Sequence, residues 1–302
     1  MTQPPPEKSK RLTLKSGYKQ RLLKSALRIA SIVFPQISAN IIFYLWFKTF
    51  RHATPARELA WIANATPARL TLENGHLNAW IWGHAQQPRV LLVHGWNGRG
   101  SQMGAFAEPL LAAGFGVVAV DLPGHGDSSG NHCNLLIGAQ ALHAAQQAWG
   151  PFVAVIGHSF GAAASALALS EQLAATKIIA ISMPQNVRWL LANYCHTLGV
   201  SARVEQKVER NIEKSLGQDI WQRLALERVV SKVSAPGLLV HDREDDAIPF
   251  SQAQAIARVW PQATLVATDG LGHYRIIRSS KVIEIILAFV RGDATPNPTA
   301  DA

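Results

Sequence analysis

Residues 152–164, with the sequence FVAVIGHSFGAAA, join an apolar run to an alanine-rich run through a short glycine-containing turn. The first run contains β-branched residues and favours a strand, whereas the alanines favour a helix. A strand that is buried on both faces has a continuously apolar sequence, as this one does. The segment therefore predicts a central strand of a mainly parallel sheet, followed at once by a helix.

Short apolar runs of the same kind recur along the chain. The eight predicted strands cover residues 69–73, 77–82, 89–94, 117–121, 152–157, 177–183, 237–242 and 263–268. Only residues 74–76 separate the first two, which is typical of a hairpin. Helical stretches rich in Ala and Leu separate most of the later ones, so these strands should be parallel. The predicted fold class is a three-layer α/β domain with a mostly parallel eight-stranded sheet.

Three regions depart from this rhythm. Residues 185–235 are helical and charged in pattern, and we predict that they form a short cap inserted after the sixth strand. Residues 293–302 are small and polar, and are expected to be a disordered tail. Residues 1–60 form a predicted basic and apolar extension, which leaves residues 61–292 as the α/β domain.

The positive charge of the chain lies in its N-terminal region. The formal net charge is +9, but residues 1–57 hold eleven Lys and Arg against the single acid Glu7, so this segment carries +10 and the remainder −1. Because the domain has no basic excess and no recognition motif, we predict no nucleic-acid partner. No CxxC or HExxH pattern occurs in the sequence, and neither a metal nor a cofactor is expected.

An uncharged stretch lies between Arg28 and Lys48 and ends in IIFYLWF at residues 41–47. Its length would suit a membrane span, but polar residues and Pro35 interrupt its first half. A basic segment followed by aromatic residues also suits the interface of an anionic membrane. The third alternative is a pair of helices packed on the domain. We expect a cytoplasmic protein. If the protein contacts a membrane, residues 1–57 would make that contact.

Ser159 lies at the centre of the GHSFG turn at residues 157–161. A serine in a Gly-x-Ser-x-Gly turn between a strand and a helix is held at the apex with its hydroxyl exposed, which is typical of a catalytic nucleophile. The alternative role for Ser159 is to cap the helix. A second match, GDSSG at residues 126–130, lies several loop residues beyond the strand that ends near Asp121, and no nucleophile is predicted there.

A nucleophilic serine needs a histidine base and an acid that orients the base. Three histidines follow the serine in the chain: His196, His241 and His273. His196 belongs to the predicted cap and His241 to a predicted strand. His273 lies past the last strand in a glycine-flanked loop that could deliver its imidazole to the serine. We therefore predict His273 as the base, the alternative being an ordinary surface-loop histidine.

The acid is expected just after the strand at residues 237–242. The candidates are Asp242, Glu244, Asp245 and Asp246. Asp242 lies at the end of the strand, and Asp246 would point away if Asp245 points inward. Pro249 fixes the exit of the turn that Asp245 begins. We predict that Asp245 holds the tautomer of His273 and stabilises its imidazolium form.

Attack of a serine on an acyl group also needs backbone donors for the oxyanion, each contributing about 3 kcal/mol in a well-formed site. The N–H of Phe160 is one candidate, because it lies at the start of the helix after Ser159. The N–H of Trp96 is the second, since Gly95 permits a turn after the preceding strand. We interpret His94 as a hydrogen-bond partner that stabilises this loop.

Together these motifs resemble the α/β-hydrolase fold family over about residues 70–290. The matching pieces are the HG loop at 94–95, DLPGHGDS at 121–128, GHSFG at 157–161, HDREDDAIP at 241–249 and GLGH at 270–273. The resemblance implies a serine hydrolase similar to esterases and lipases, with Ser159, Asp245 and His273 as triad and Trp96 and Phe160 as oxyanion donors. It implies a small-molecule acyl substrate with a carboxylic ester or thioester bond.

Other functions stay open. The same fold could act on an amide or C–C bond, or serve as a non-catalytic binding protein. A dinucleotide-binding protein is a further alternative, but GxGxxG is absent and a hairpin precedes the strand that would open such a unit. Three cap aromatics could line an acyl pocket or form the cap's own core: Trp189, Tyr194 and Trp221.

Overall fold

The structure is a computed structural model that describes residues 18–293. Its strands are β1 (Thr66–Leu72), β2 (Gly75–Trp82), β3 (Arg89–Val93), β4 (Gly116–Asp121), β5 (Phe152–His158), β6 (Ile178–Ile181), β7 (Gly237–Asp242) and β8 (Ala263–Thr268). They form one sheet in the order β1-β2-β4-β3-β5-β6-β7-β8. The chain outside this range includes residues 1–17 of the predicted extension and nearly all of the predicted tail.

Two pairs in the sheet are antiparallel, β1 with β2 and β2 with β4, and all the other neighbours are parallel. Leu72 pairs with Gly75 across the predicted hairpin. The predicted α/β fold class is confirmed. Strand β6 is shorter than expected and ends at Ile181, because Ser182 has a φ of 50° and is not extended. The Ser182 N–H still bonds to the carbonyl of Val240 in β7, at 2.9 Å.

Helices account for most of the remaining described chain. They are α1 (Tyr18–Val33), α2 (Pro35–Phe47), α3 (Ala56–Ile62), α4 (Ala107–Ala112), α5 (Leu135–Trp149), α6 (Phe160–Ser170), α7 (Val187–Leu198), α8 (Ala202–Leu216), α9 (Ile220–Arg223), α10 (Leu226–Val230), α11 (Phe250–Val259), α12 (Gly272–Arg275) and α13 (Ser280–Arg291). Short 3₁₀ helices cover Gly100–Phe106 and Ile276–Arg278.

The sheet separates two apolar cores because successive side chains of a strand point to opposite faces. In β3, Leu91 and Val93 join the core that contains α5, α6 and the cap helices. Val90 and Leu92 face the other core, with α4 and α13. Each of these side chains is fully buried, and burial of one such residue contributes about 1.5–3 kcal/mol. The result is the predicted arrangement of three layers.

Helices α7 to α10 lie between β6 and β7, where the cap was predicted. Helix α2 packs on α8 of this cap. Two hydrogen bonds accompany the contact: Lys207 Nζ donates to Gln36 Oε1 at 2.8 Å, and Asn211 Nδ2 donates to Asn40 Oδ1 at 3.1 Å. The N-terminal helix α2 therefore covers the cap. The exact domain boundaries at residues 60 and 292 stay predictions.

Residues 48–58, which we call the strap, connect α2 to the start of α3 and cross the loops that follow β3 and β4. Thr49 Oγ1 donates to the carbonyl of Gly124 at 2.7 Å. The guanidinium of Arg51 donates to three backbone carbonyls, those of Gly126, Ser128 and Gly130. The strap thus holds the loop at residues 121–130 in place. Among residues 18–293, no helix combines the length and apolar character needed to cross a membrane.

Candidate active site

Ser159 occupies a sharp junction between β5 and α6. Its backbone has φ 51° and ψ −114°, a conformation that L side chains rarely adopt. Such a residue costs about 1–3 kcal/mol and persists only where the surrounding structure holds it. Here the Ser159 N–H bonds to the carbonyl of Ile181 at 2.8 Å, and the Ser159 carbonyl accepts from the N–H of Ala163 at 3.1 Å. The junction therefore fixes the serine at the carboxyl end of β5.

The two glycines of the turn are required by close packing. A Cβ on Gly157 would lie 2.6 Å from Cα of Ala162. A Cβ on Gly161 would lie 2.5 Å from the carbonyl oxygen of Val93, and closer still to that of His94. Because these neighbours are backbone atoms, they cannot move aside. Glycine at both positions lets α6 start directly against β3 and β5.

Asp245 and His273 are in direct contact. Nδ1 of His273 lies 2.7 Å from Oδ2 of Asp245, and both side chains are buried. The other carboxylate oxygen of Asp245 accepts from the N–H groups of Ala247 and Ile248, at 2.9 and 2.8 Å. The carboxylate is thereby oriented by its own loop, and its free side faces the imidazole.

The surroundings of Asp245 favour the charged carboxylate. Burial alone raises the pKa of this group, but the hydrogen bond and charge of His273, together with the Ile248 N–H, outweigh burial and leave the pKa lowered. An ionised Asp245 requires a proton on Nδ1 of His273. In the neutral imidazole, Nε2 is then the basic nitrogen.

The loop that carries His273 packs against the residue before the serine. Nε2 of His158 lies 2.9 Å from the backbone carbonyl of His273, and the two rings are 4.9 Å apart. Strands β5, β7 and β8 are parallel, so Ser159, Asp245 and His273 all follow strand ends at one edge of the sheet. Among the described residues, the hydrogen bond between Asp245 and His273 joins two of these three side chains, and none is found for the Ser159 hydroxyl or for Nε2 of His273.

Two further buried histidines, His158 and His241, flank this pair, and no role was predicted for them from the sequence. Burial, followed by the nearby His273, lowers the pKa of His158 to about 3. His241 bonds through Nε2 to the carbonyl of Ile248 at 2.8 Å and lies 3.5 Å from Oδ2 of Asp245. Burial also lowers the pKa of His241. The sequence signal that could have indicated these contacts is position, since His158 directly precedes Ser159 and His241 lies four residues before Asp245.

Trp96 and Phe160, whose backbone N–H groups are the predicted oxyanion donors, are neighbours in the structure. The rings of Trp96 and Phe160 meet edge to face at 5.0 Å. Neither backbone N–H donates a hydrogen bond to another residue in the described range. His94 bonds through Nδ1 to the carbonyl of Gly95 at 2.7 Å, and its Nε2 accepts from the N–H of Leu122 at 3.0 Å. This histidine therefore fixes the Trp96 loop to the loop after β4, as interpreted from the sequence.

Comparison with known proteins decides the family. The sequence profile described as "Alpha/beta hydrolase family" matches residues 90–284, which is well over half of the chain. The chain belongs to the alpha/beta hydrolase family. The match runs from Val90 in β3 past the end of β8 and includes all five predicted site residues.

Relatives of this alpha/beta hydrolase agree with the assignment. The human "Serine hydrolase-like protein" is 34% identical over 109 residues, which is 32% of this chain and 53% of the relative. The chain thus spans about half the length of this curated relative, and 34% of "Serine hydrolase-like protein 2". These relationships support a hydrolase.

Solved structures share the fold at low sequence identity. The Pyrococcus furiosus esterase Pf2001 has a TM-score of 0.61 and 19% identity, over 81% of this chain and 97% of the esterase. A bacterial membrane phospholipase A has a TM-score of 0.60 and 18% identity, over 92% of this chain and 99% of that chain. At such identities the likeness concerns the fold alone.

In this hydrolase the second Gly-x-Ser-x-Gly match has a structural role. Ser128 is buried, its hydroxyl donates to the carbonyl of Asp121 at 2.6 Å, and it accepts from the N–H of Asn78 at 2.8 Å. The Asp121 carboxylate accepts from the N–H groups of Gly100 and Asp127, at 2.6 and 2.9 Å. Both oxygens are therefore used within the protein, whereas the dinucleotide-binding alternative needs this acid for a ribose.

Two of the cap aromatics make contacts within the protein. The ring of Tyr194 lies 5.4 Å from that of Trp46 on α2. Trp221 donates through Nε1 to Glu213 at 2.8 Å, and the guanidinium of Arg188 lies 5.5 Å from its ring. Both rings are half-buried at the edge of the core around the cap. These contacts favour packing over an acyl pocket, within the cap for Trp221 and against α2 for Tyr194.

Proposed function

We propose that this protein is a serine hydrolase that cleaves a carboxylic ester or thioester through an acyl-enzyme on Ser159. The observation that carries the proposal is the pairing of buried Asp245 with His273, whose backbone carbonyl lies 2.9 Å from Nε2 of His158, the residue directly before a serine in a strained φ 51° conformation. Strained backbone and a buried acid–imidazole pair at one edge of a sheet are features that cluster at catalytic sites.

The proposed reaction begins with attack of Ser159 Oγ on the acyl carbon. Nε2 of His273 accepts the hydroxyl proton while Asp245 stabilises the imidazolium. The tetrahedral intermediate then collapses, the bond to the leaving oxygen or sulfur breaks, and the same proton passes from Nε2 to the leaving group. A water molecule attacks the acyl-enzyme in the same way, releasing the carboxylic acid and restoring the serine.

The oxyanion formed in each step would be held by the N–H groups of Trp96 and Phe160. Neither group donates to another described residue, so both are free to bind a developing negative charge. The N–H of Phe160 also lies at the first position of α6, where the helix dipole favours an anion. His158 and His241 both have lowered pKa values, so near neutral pH neither adds a positive charge beside His273.

The proposal is tested by hydrolysis of p-nitrophenyl esters and acyl thioesters of graded acyl length. Ser159→Ala should lower kcat/KM by about 10⁴-fold or more, since it removes the nucleophile. Ser165→Ala is the matched control, because Ser165 is a buried serine on α6 whose hydroxyl bonds to the carbonyl of Gly161 at 2.7 Å. Its kcat/KM should remain close to that of the unaltered chain.

Other results would favour the alternatives. Equal activity of Ser159→Ala and the unaltered chain would exclude Ser159 as the nucleophile. Cleavage of amides or C–C bonds with no activity on esters or thioesters would assign the same site to another bond. A fluorescence change on titration with NADH would point to the dinucleotide alternative. Inactivity on every substrate class would favour a binding protein.

A further inference from the structure

Helices α1 and α2 leave a row of large apolar side chains uncovered. The exposed residues, which we call the apolar row, are Ile29, Ile32, Val33, Phe34, Ile37, Ile41 and Tyr44. In α2, Ile37, Ile41 and Tyr44 follow the i, i+4, i+7 spacing that places side chains on one helix face. Ile37 is 59% exposed and Ile41 is 50% exposed. Exposed apolar surfaces of this kind mark interaction sites.

The opposite face of α2 is already occupied. Ala39 and Ile42 on that face are buried in the core around the cap, and the exposed Gln36 and Asn40 at its flank bond to residues of α8. In α1, Ser31 is buried while Ile32 and Val33 next to it are exposed. Among residues 18–293, the apolar row is therefore uncovered and does not contribute to the packing of α2 on the domain.

Charge identifies the kind of partner. The segment that contains the apolar row, residues 1–57, has a net charge of +10, whereas the rest of the chain sums to −1. Arg28 precedes the row and is exposed, and Lys48 follows it with its Nζ 5.6 Å from the ring of Tyr44. Apolar side chains next to basic residues match the interface of a bilayer with anionic headgroups. A second copy of the chain would instead bring two strongly positive segments together.

We propose that the apolar row docks into the interfacial region of an anionic lipid bilayer, with the basic residues of the segment contacting the headgroups. The helices lie on the bilayer, since α2 is held against the cap by its other face. The docking does not depend on the reaction at Ser159, so the two proposals succeed or fail separately.

Vesicle flotation of the full chain tests the docking. The protein should float with vesicles of phosphatidylcholine mixed with phosphatidylglycerol, and should stay in solution with phosphatidylcholine alone. Raised salt should weaken the binding because it screens the basic segment. Ile37→Asp with Ile41→Asp should lower the bound fraction about tenfold, since two charged side chains replace the inserted apolar ones.

The matched control is Ile137→Asp with Val259→Asp, two exposed apolar residues on other helices at 36% and 37% exposure. It makes the same change in net charge and should float like the unaltered chain. Circular dichroism and thermal melting establish that both double variants are folded. Absence of flotation with anionic vesicles, or equal flotation of both double variants, would overturn the proposal. So would a dimer in sedimentation that only Ile37→Asp with Ile41→Asp dissociates, because the row would then bind a second copy.

Discussion

Nδ1 of His273 lies 2.7 Å from Oδ2 of Asp245, although these residues follow different strands of the sheet. The remaining oxygen of the carboxylate is held by two backbone N–H groups of its own loop. An acid fixed in this way determines which ring nitrogen carries the proton and leaves Nε2 as the base. In the proposed reaction, the contact therefore sets the chemistry at Ser159.

Asp245→Asn should lower kcat on a p-nitrophenyl ester by about 10³-fold or more, because the amide cannot stabilise the imidazolium and can select the wrong tautomer. Asp246→Asn is the control, because it makes the same change in charge at the next residue, whose side chain is exposed. It should retain nearly full activity. Equal losses in the two variants would show that the effect is one of general electrostatics.

The buried histidines predict acid sensitivity. The pKa of His158 is lowered from 6.5 to about 3, so the unfolded chain binds an additional proton between these pH values. The stability contributed by neutral His158 is fully present above pH 6.5 and is lost as the pH falls through this window, by at most about 1.4 kcal/mol per pH unit. Other buried histidines with lowered pKa values, such as His125 and His241, add to the slope.

Urea unfolding between pH 7 and pH 4 measures this slope, and about 1 kcal/mol per pH unit should come from one histidine. His158→Gln keeps an amide donor for the carbonyl of His273 but has no titrating ring, so its unfolding free energy should depend less steeply on pH. His84→Gln is the control, because His84 is exposed on a loop. An unchanged slope in His158→Gln would contradict the prediction.

Ser128→Ala separates the two Gly-x-Ser-x-Gly matches. It removes one buried hydroxyl that bridges Asp121 and Asn78, so the free energy of unfolding should fall by about 1–3 kcal/mol. The kcat on an ester should stay close to that of the unaltered chain at a temperature where the variant is folded. Thermal melting and a standard hydrolysis assay are sufficient. A loss of kcat without a loss of stability would assign Ser128 a chemical role.

Gly161→Ala should lower stability by about 3 kcal/mol, because its Cβ would collide with the backbone oxygens of Val93 in β3 and of His94, the next residue. Gly138→Ala is a helical comparison, since its Cβ would meet the Ala164 side chain at 3.2 Å and has more freedom to adjust. Chemical denaturation of both variants gives the difference. Similar stability of the two would mean that α6 can shift away from β3.

The sequence was sufficient to predict features whose signals are local. Apolar runs located all eight strands, and the chain order of turn, acid and histidine led to Ser159, Asp245 and His273. Asp242, one alternative acid, lies at the end of β7 and bonds to Thr268 and the N–H of Leu271, which ties β7 to the loop after β8. Its carboxylate is thus used in holding the strand ends together, while Asp245 contacts the imidazole.

Features that depend on contacts between distant residues had no local signal. Arg51 binds carbonyls more than 70 positions away, and no spacing rule relates them. The same holds for His158, whose partner is the backbone carbonyl of His273. The end of β6 at Ile181 depends on a positive φ at Ser182, where an apolar pattern alone predicts a longer strand.

The proposal of a serine nucleophile is tested most directly by mass-spectrometric mapping of a fluorophosphonate adduct on the full chain. A single adduct is expected on Ser159, because an activated serine reacts with the phosphorus centre whereas ordinary serines do not. The adduct should disappear in Ser159→Ala and persist in Ser165→Ala. No adduct on the folded protein, or one that maps to another serine, would show that Ser159 is not the nucleophile.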